Sequence, residues 1–514
     1  MGSSLSIAHL ASELTPIVKV GGLGDVVGAL AAEQAERGHA VTVAIPAYAG
    51  ARIDAGWARE TLGTERVPWG MGHEPAAFRL LTKIAAGESG RGMRVLLVDH
   101  VGERRFFDRA GVYDDPRSGE GYPDNGERFL FFARAALQGL ARLGRWDVIH
   151  AHDHQAAWAP CFVRTHEAAR PAFQEAATVF TIHNLGYQGI HDAFVLGLAG
   201  FGRELFYPAS PFEFWGRVND MKVGLVFADM ISTVSPRYAQ EIQSSGEYGF
   251  GLEGVLARRN ADLRGILNGI DVERWDPAHD PLIPHPFDRD HLEGKAQDRA
   301  ALSERCGFPR ESDWPLVGMV TRLVDQKGLD LIEAAERDLL RLEARFVVLG
   351  SGQARYQELC RRIAAIAPGR FHYQGGFDEP LAHQIEAGAD LFLMPSRYEP
   401  CGLNQMYSMR YGTVPVVRAT GGLADTVEDF DPLTRQGHGF VFQRHEALEM
   451  TNAIRRALTI HRQPHLWERV RANGMAVDHS WSRSADGYDR LYAEALERVR
   501  AGGAHTLASV RAER

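Results

Sequence analysis

The sequence predicts an α/β protein of two doubly wound domains, each on a largely parallel sheet, facing one another across a deep cleft. Three observations predict it. Short apolar runs alternate with helical patterns over the first half of the chain, and the alternation starts again at Leu316; successive βα units of this kind form parallel sheets flanked by helices. The apolar runs end in turns rich in glycine, histidine or charge, which is where open parallel sheets carry their ligand sites. The length, 514 residues, exceeds what one ordinary core organises.

The first domain is expected over 1–258. Ser4 to Ala11 reads as a strand, Val26 to Ala35 as a helix and Ala40 to Ile45 as a second strand. Between strand and helix lies Lys19-Val-Gly-Gly-Leu-Gly-Asp25, whose small residues let backbone amides approach an anion beside the Lys19 charge. A dinucleotide fingerprint fits less well. The glycines come several residues after the strand ends, and the second strand runs into Pro46-Ala-Tyr48 without an acidic residue for a ribose.

Strands follow at Met93 to Asp99, Asp147 to His152 and Thr178 to His183, with a helix from Asn125 to Arg142. Two of them end in clusters, His150-Ala-His-Asp-His154 and Thr181-Ile-His-Asn-Leu-Gly186. The first could hold zinc, but it is one residue short of the metallo-β-lactamase arrangement. His150 and His152 also share one face of a strand, as hydrogen-bonded core residues do. Phe201 to Trp215 is aromatic-rich and reads as a surface excursion bordering an acceptor groove; Asp229 to Ser235 is a strand leading into a helix at Pro236, and the glycines around 247–254 predict a mobile segment.

The second domain is expected over 265–480, with strands at Leu316 to Arg322, Arg345 to Gly350, from Leu391, and Val414 to Val417. Arg322 and Lys327 flank the loop after the first of these, a placement suited to clamping a diphosphate. The run Asp390-Leu-Phe-Leu-Met-Pro-Ser-Arg-Tyr-Glu-Pro-Cys-Gly-Leu-Asn-Gln405 reads as buried strand, tight loop and helix start, so the Glu399 carboxylate faces a ligand unless Ser396, Glu399 and Asn404 merely cap the helix. Thr420-Gly-Gly-Leu-Ala-Asp-Thr426 echoes the first glycine turn and also offers amides to anions. The helical pattern 481–501 is expected to cross back to the first domain, and 502–514 to be a flexible tail.

Composition narrows the function. Acidic residues outnumber basic ones 66 to 57, for a net charge of −9, which argues against a general nucleic-acid-binding surface. The four cysteines have neither metal nor disulfide spacing. With no apolar run of membrane length and no leader-like start, a cytoplasmic protein without membrane partners is expected.

Taken in order, Lys19-Val-Gly-Gly-Leu-Gly-Asp25, His150-Ala-His-Asp153, His183-Asn-Leu185 with Tyr187-Gln-Gly189, Thr233-Val-Ser-Pro236, Leu267-Asn-Gly-Ile-Asp271, Arg322-Leu with Gln326-Lys-Gly-Leu-Asp330, Pro395-Ser-Arg-Tyr-Glu-Pro-Cys-Gly402 and Thr420-Gly-Gly-Leu-Ala-Asp-Thr426 resemble the bacterial glycogen synthases and plant starch synthases. The resemblance runs from Ile7 to about Tyr492. It implies a GT-B fold and a retaining glucosyltransferase that lengthens an α-1,4-glucan from ADP-glucose without a metal or other cofactor. It assigns catalysis to Glu399, Asp153 and His183. It places the donor against Lys19, Gly21, Gly22, Arg322 and Lys327, with Cys401, Gly402, Leu403, Thr420, Gly421, Gly422 and Asn184 also at the substrate and Tyr122, near Asp124 and Asn125, on the acceptor side. Two departures stand out: His154 where many relatives carry Trp, and Gly24 where many bacterial relatives carry Ala, a change expected only to loosen the loop.

Other readings are a related transferase with a different acceptor, such as glucose 1-phosphate, and a non-catalytic glucan- or nucleotide-sugar-binding protein. Retention of the charged set argues against the latter. A phosphorylase would need a pyridoxal-phosphate lysine element, and none is recognisable.

Overall fold

A computed structural model describes residues 4–83, 92–309 and 313–502. The chain divides into two compact units. The first contains Met1–Val234, Ala239–Ile266 and Trp481–Arg514, so far as these are described; the second contains Ser235–Tyr238 and Leu267–Ser480. Of the segment 502–514, all beyond Gly502 lies outside the described residues.

The first unit is built on nine strands: β1 (Ser6–Leu10), β2 (Ala40–Pro46), β3 (Trp57–Trp69), β4 (Gly72–Lys83), β5 (Arg94–His100), β6 (Val148–His152), β7 (Ala177–Ile182), β11 (Met230–Thr233) and β12 (Leu263–Gly265), with β8 (Ile190–His191), β9 (Glu213–Phe214) and β10 (Arg217–Asn219) in a small separate sheet. The large sheet runs β12-β11-β7-β6-β1-β2-β5-β4-β3. From β12 to β5 every pairing is parallel; β4 and β3 are antiparallel. The chain winds outwards from β1 through β2 and β5, then restarts at β6 beside β1 and winds the other way. The switch point between β1 and β6 is where a crevice opens at the strand ends.

Expected and observed strands differ by a residue or two at their ends. The β3–β4 hairpin was not expected. Its first strand buries only Trp57, Val67 and Trp69, so it has few apolar positions from which a period could be read. The aromatic segment also differs from the surface excursion predicted: Phe212 is fully buried and stacks on Trp158 at 5.8 Å, with Phe201 4.9 Å away. Trp215 alone, 84% exposed, has the predicted character. The glycine-rich stretch near 250 forms two short helices, Gly246–Gly249 and Glu253–Arg258, pinned by the buried Leu252.

The last helix, Trp481–Arg500, belongs to the first unit. Its apolar stripe of Trp481, Tyr488, Leu491, Tyr492, Ala495 and Leu496 packs on Ile7, Val26, Val148 and Val179. The i, i+3, i+4 spacing puts these side chains on one face. Arg37 pins the polar side through Asp486 at 2.6 Å and Asp489 at 2.9 Å.

The second unit carries β13 (Leu316–Val320), β14 (Arg345–Gly350), β15 (Phe371–Gly375), β16 (Leu391–Met394), β17 (Val414–Arg418) and β18 (Phe440–Phe442) in the order β15-β14-β13-β16-β17-β18, all parallel. Its central strands β13, β14 and β16 are near-continuous apolar runs, as expected of a parallel sheet covered on both faces. Here the switch point lies between β13 and β16, which brings together the loops carrying Lys327 and Glu399. Among the described residues no helix is long and apolar enough to cross a membrane.

Candidate active site

In the second unit the loops after β13 and β16 enclose a cavity of about 190 Å³ lined by Thr321, Arg322, Lys327, Ser396, Glu399, Gly402, Leu403 and Asn404. Glu399 is 5% exposed. One of its oxygens, Oε2, accepts from Lys327 Nζ at 2.6 Å and from Ser396 Oγ at 2.9 Å. No hydrogen bond from a described residue reaches Oε1. The helix Asn404–Arg410 begins without a side-chain cap, and the Asn404 amide instead donates to Val320 O at 2.8 Å. Ser396, Glu399 and Asn404 therefore serve the cavity and the strand end, and the capping alternative falls.

The second glycine turn is a buttress for this loop. Gly422 N donates to Glu399 O at 3.0 Å, and a methyl on Gly421 would lie 1.9 Å from that same oxygen. Gly421 has φ +44, which only glycine adopts freely. Thr420 is fully buried. The Gly422 amide thus serves a neighbouring carbonyl, where the sequence offered it to an anion. Gly402 has φ +74 and leads into Leu403 ahead of the helix. Cys401 is buried, its thiol pushed up to about 12 by desolvation, so it packs as a neutral group.

In the first unit the Lys19 loop follows β1. Lys19 Nζ lies 2.7 Å from Asp25 Oδ2, and both side chains remain partly exposed. Gly21 N and Val20 N donate to Glu13 Oε2 at 2.8 and 2.6 Å. Glu13 is itself held by Tyr113, whose hydroxyl donates to Oε1 at 2.6 Å. The Gly21 amide is therefore committed to Glu13, while Gly22 opens the helix Gly22–Glu36 and its amide belongs to the first turn. A methyl at Gly24 would meet Thr15 Oγ1 and Val18 O at 3.2 Å, so glycine here permits close packing and does not merely loosen the loop.

Asp153, immediately after β6, takes the left-handed φ of +54, a strained conformation for a non-glycine residue. Its Oδ1 accepts from His183 N at 2.7 Å and Asn184 N at 3.3 Å, tying the β6 and β7 ends together. Burial pushes its carboxyl up to about 7, partly offset by those two amides. Asn184 Oδ1 accepts from Gly186 N at 3.0 Å. His154 packs against Gly189, where a methyl would come within 2.5 Å of His154 Nδ1. The Tyr122 ring lies under Arg109 and Arg128, at 4.9 and 5.2 Å, its hydroxyl accepts from Gly111 N, and its own amide donates to Tyr113 O at 3.0 Å.

Each unit thus gathers its expected residues at its own switch point. The second holds Arg322, Lys327 and Glu399; the first holds Lys19, Asp153, His183 and Asn184, with Tyr122 on the loop before the helix Asn125–Leu143. Sequence reasoning missed Glu13, His9 and Gln34, and gave Asp25, the last residue of the Lys19 motif, no role. The Ile7-Ala-His9 alternation, which matches that of His150 and His152, is the one signal that could have found His9.

Residues 6–258 match the family described as starch synthase catalytic domain, and residues 305–473 match glycosyl transferases group 1. The chain is 45% identical over 497 residues to a glycogen synthase of Koribacter versatilis (strain Ellin345), covering 97% of this chain and 99% of that one. It is 47% identical over 492 residues to a glycogen synthase of Anaeromyxobacter dehalogenans (strain 2CP-C), covering 95% and 99%. Among solved structures it is similar to the catalytic domain of starch synthase IV from Arabidopsis thaliana bound to ADP and acarbose, with TM-score 0.87, 34% identity and coverage of 96% of this chain and 100% of that one. A sucrose-phosphate synthase from Thermosynechococcus elongatus, 18% identical with TM-score 0.58 over 95% of this chain and 98% of that one, shares the fold. With two Rossmann-like units and this degree of identity over nearly its whole length, the chain belongs to the glycogen and starch synthase family of GT-B glycosyltransferases.

Proposed function

We propose that the protein transfers glucose from ADP-glucose to the non-reducing end of an α-1,4-glucan with retention of configuration, without a metal ion. The observation that carries this reading is the anchoring of Glu399: Lys327 and Ser396 both hold Oε2, which leaves Oε1 for a ligand in a cavity that Arg322 also lines. Glycosyl transfer builds positive charge on the sugar ring and negative charge on the departing diphosphate. A fixed carboxylate next to fixed cations stabilises both without rearrangement. An ADP-bound relative supports the nucleotide.

In this reading Arg322 and Lys327 neutralise the leaving group, and Lys19 contacts the donor. Asp153 and His183 hold sugar hydroxyls. The bond from C1 to the diphosphate oxygen breaks, the acceptor hydroxyl attacks from the face just vacated, and its proton passes to the departing diphosphate. Glu399, paired and held by one oxygen, stabilises the cationic ring. The acceptor is a glucan, as in the curated relatives' name.

The test is transfer onto glycogen from ADP-glucose and from UDP-glucose, each with a chelator present, with glucose 1-phosphate offered as a separate acceptor. Incorporation from ADP-glucose into glycogen, unaffected by chelation, is expected. Loss of activity on chelation, preference for UDP-glucose, or transfer only to glucose 1-phosphate would each overturn the corresponding element of the reading.

A further inference from the structure

Three imidazoles and one amide form a connected line beneath the β1–β6 switch point. Gln34, on the helix Gly22–Glu36, His9 on β1 and His152 on β6 are all fully buried; His183 follows β7 and is half-buried. Gln34 Oε1 lies 2.8 Å from His9 Nε2, His9 Nδ1 lies 2.9 Å from His152 Nε2, and His152 Nδ1 lies 3.0 Å from His183 Nε2. A side branch leaves the same amide. Gln34 Nε2 donates to Tyr492 Oη at 3.0 Å, and that hydroxyl meets His150 Nδ1 at 2.8 Å.

The direction of every bond follows from the first. An amide oxygen only accepts, so His9 carries its hydrogen on Nε2 and its Nδ1 is a lone pair. That lone pair requires a hydrogen on His152 Nε2, so His152 Nδ1 accepts in turn, which requires a hydrogen on His183 Nε2. His183 Nδ1 is then an acceptor, and among the described residues nothing donates to it. The line holds only while the rings are neutral, and burial ensures this: it pushes His9 down to about 4 and His183 down to about 3, and holds His152 well below its usual range. His9, His150 and His152 lie close enough to share an ion, but all six of their ring nitrogens make hydrogen bonds within the protein, so the geometry is that of a relay.

We propose that Gln34 is a positioning residue that acts through His9 and His152 to hold His183 as the Nε2–H tautomer, so that Nδ1 is presented as an acceptor to a substrate hydroxyl. This rests on the reading above that His183 handles the sugar. An acceptor nitrogen orients a hydroxyl with its hydrogen towards the protein and its oxygen lone pairs away from it; the other tautomer reverses that orientation. A network whose members fix one another's direction needs one member of fixed polarity, and Gln34 is the only amide in the line.

The experiment is long-range proton–nitrogen correlation on the full chain labelled with ¹⁵N-histidine, with the His183 signal assigned through His183→Gln. Nε2–H patterns at His9, His152 and His183, unchanged between about pH 6 and 8, are expected. Gln34→Leu should leave His183 as a tautomer mixture and lower kcat about tenfold or more, with the donor KM within about twofold. Gln34→Glu, whose buried carboxyl is protonated and keeps a carbonyl acceptor, should restore both. An Nδ1–H pattern at His183 in the native protein overturns the relay, and that spectrum decides even if Gln34→Leu fails to fold. So does an unchanged His183 pattern in folded Gln34→Leu. If Gln34→Leu mixes the tautomers but kcat is unchanged, the assignment of His183 to the sugar falls instead.

Discussion

Lys327→Met is the perturbation whose cost is best fixed by the structure. The Lys327–Glu399 pair is 2.6 Å long, with side chains 19% and 6% exposed. At that separation and an effective dielectric of about 20 the attraction is about 6 kcal/mol. Desolvation of both groups cancels much of it, but removing one partner leaves the other charge buried, which costs about 3–5 kcal/mol. Ser396 still donates to Glu399 in the variant, so the lower figure of about 3 kcal/mol is expected. Adding Glu399→Gln removes the orphaned charge and keeps an acceptor for Ser396, so the double variant should recover about 2 kcal/mol. Urea unfolding of the four proteins of the cycle reads these values. Transfer activity should behave differently: kcat should fall at least about 100-fold in all three variants, because each removes a fixed charge from the reaction. A double variant no more stable than Lys327→Met would refute the coupling. Recovery of activity along with stability would refute the catalytic roles.

Three further outcomes are expected. Burial raises the Asp153 carboxyl from 3.8 to about 7, so its contribution to stability is full below about pH 4 and is lost as pH rises through 7; relative to wild type, Asp153→Asn should gain up to about 4 kcal/mol between pH 4 and 8 by calorimetry, while losing activity. Gly421→Ala drives a methyl to 1.9 Å from Glu399 O at a positive φ and should cost more than about 3 kcal/mol, whereas Gly21→Ala meets nothing within 4 Å and should change stability by less than about 0.5 kcal/mol in the same melt. The four cysteines are free and buried, with Cys401 and Cys306 pushed up to about 12 and Cys360 up to about 11, so a thiol reagent should titrate none in the native protein and four per chain after denaturation.

The parts of the site legible in the sequence are those set by local chain geometry. Glu399 and Lys327 lie in loops that follow apolar strands, and the strand ends of a doubly wound sheet face its crevice, so position along the chain sufficed to place them. Hydrogen-bond partners were not legible. The glycine turns at Gly21 and Gly422 read as open amides, yet Glu13 and the Glu399 carbonyl fold onto them, because a sequence shows which groups can donate but not which acceptor comes near. His9 and Gln34 were missed for the same reason: their link to His152 spans residues that only sheet order makes neighbours. The β3–β4 hairpin lacked an apolar period, so nothing marked it.

The two units solve opposite electrostatic problems at equivalent places in the same architecture. The second unit keeps its charges, with Lys327 paired to Glu399 and Arg322 beside them on the cavity wall. On the proposed function, a diphosphate entering there meets a Lys327 that its contact with Glu399 already holds in place and largely out of water. The first unit buries its strand ends deeply enough to disfavour charge there: burial holds His9, His152 and His183 far below their usual range and pushes Asp153 up to about 7. Neutral imidazoles are poor partners for a diphosphate but good ones for hydroxyls, provided each nitrogen's role as donor or acceptor is fixed in advance. On the proposed function, charge compensation falls to the second unit and hydroxyl recognition to the first. A substitution that charges the histidine line should impair sugar orientation even where it leaves the diphosphate well bound.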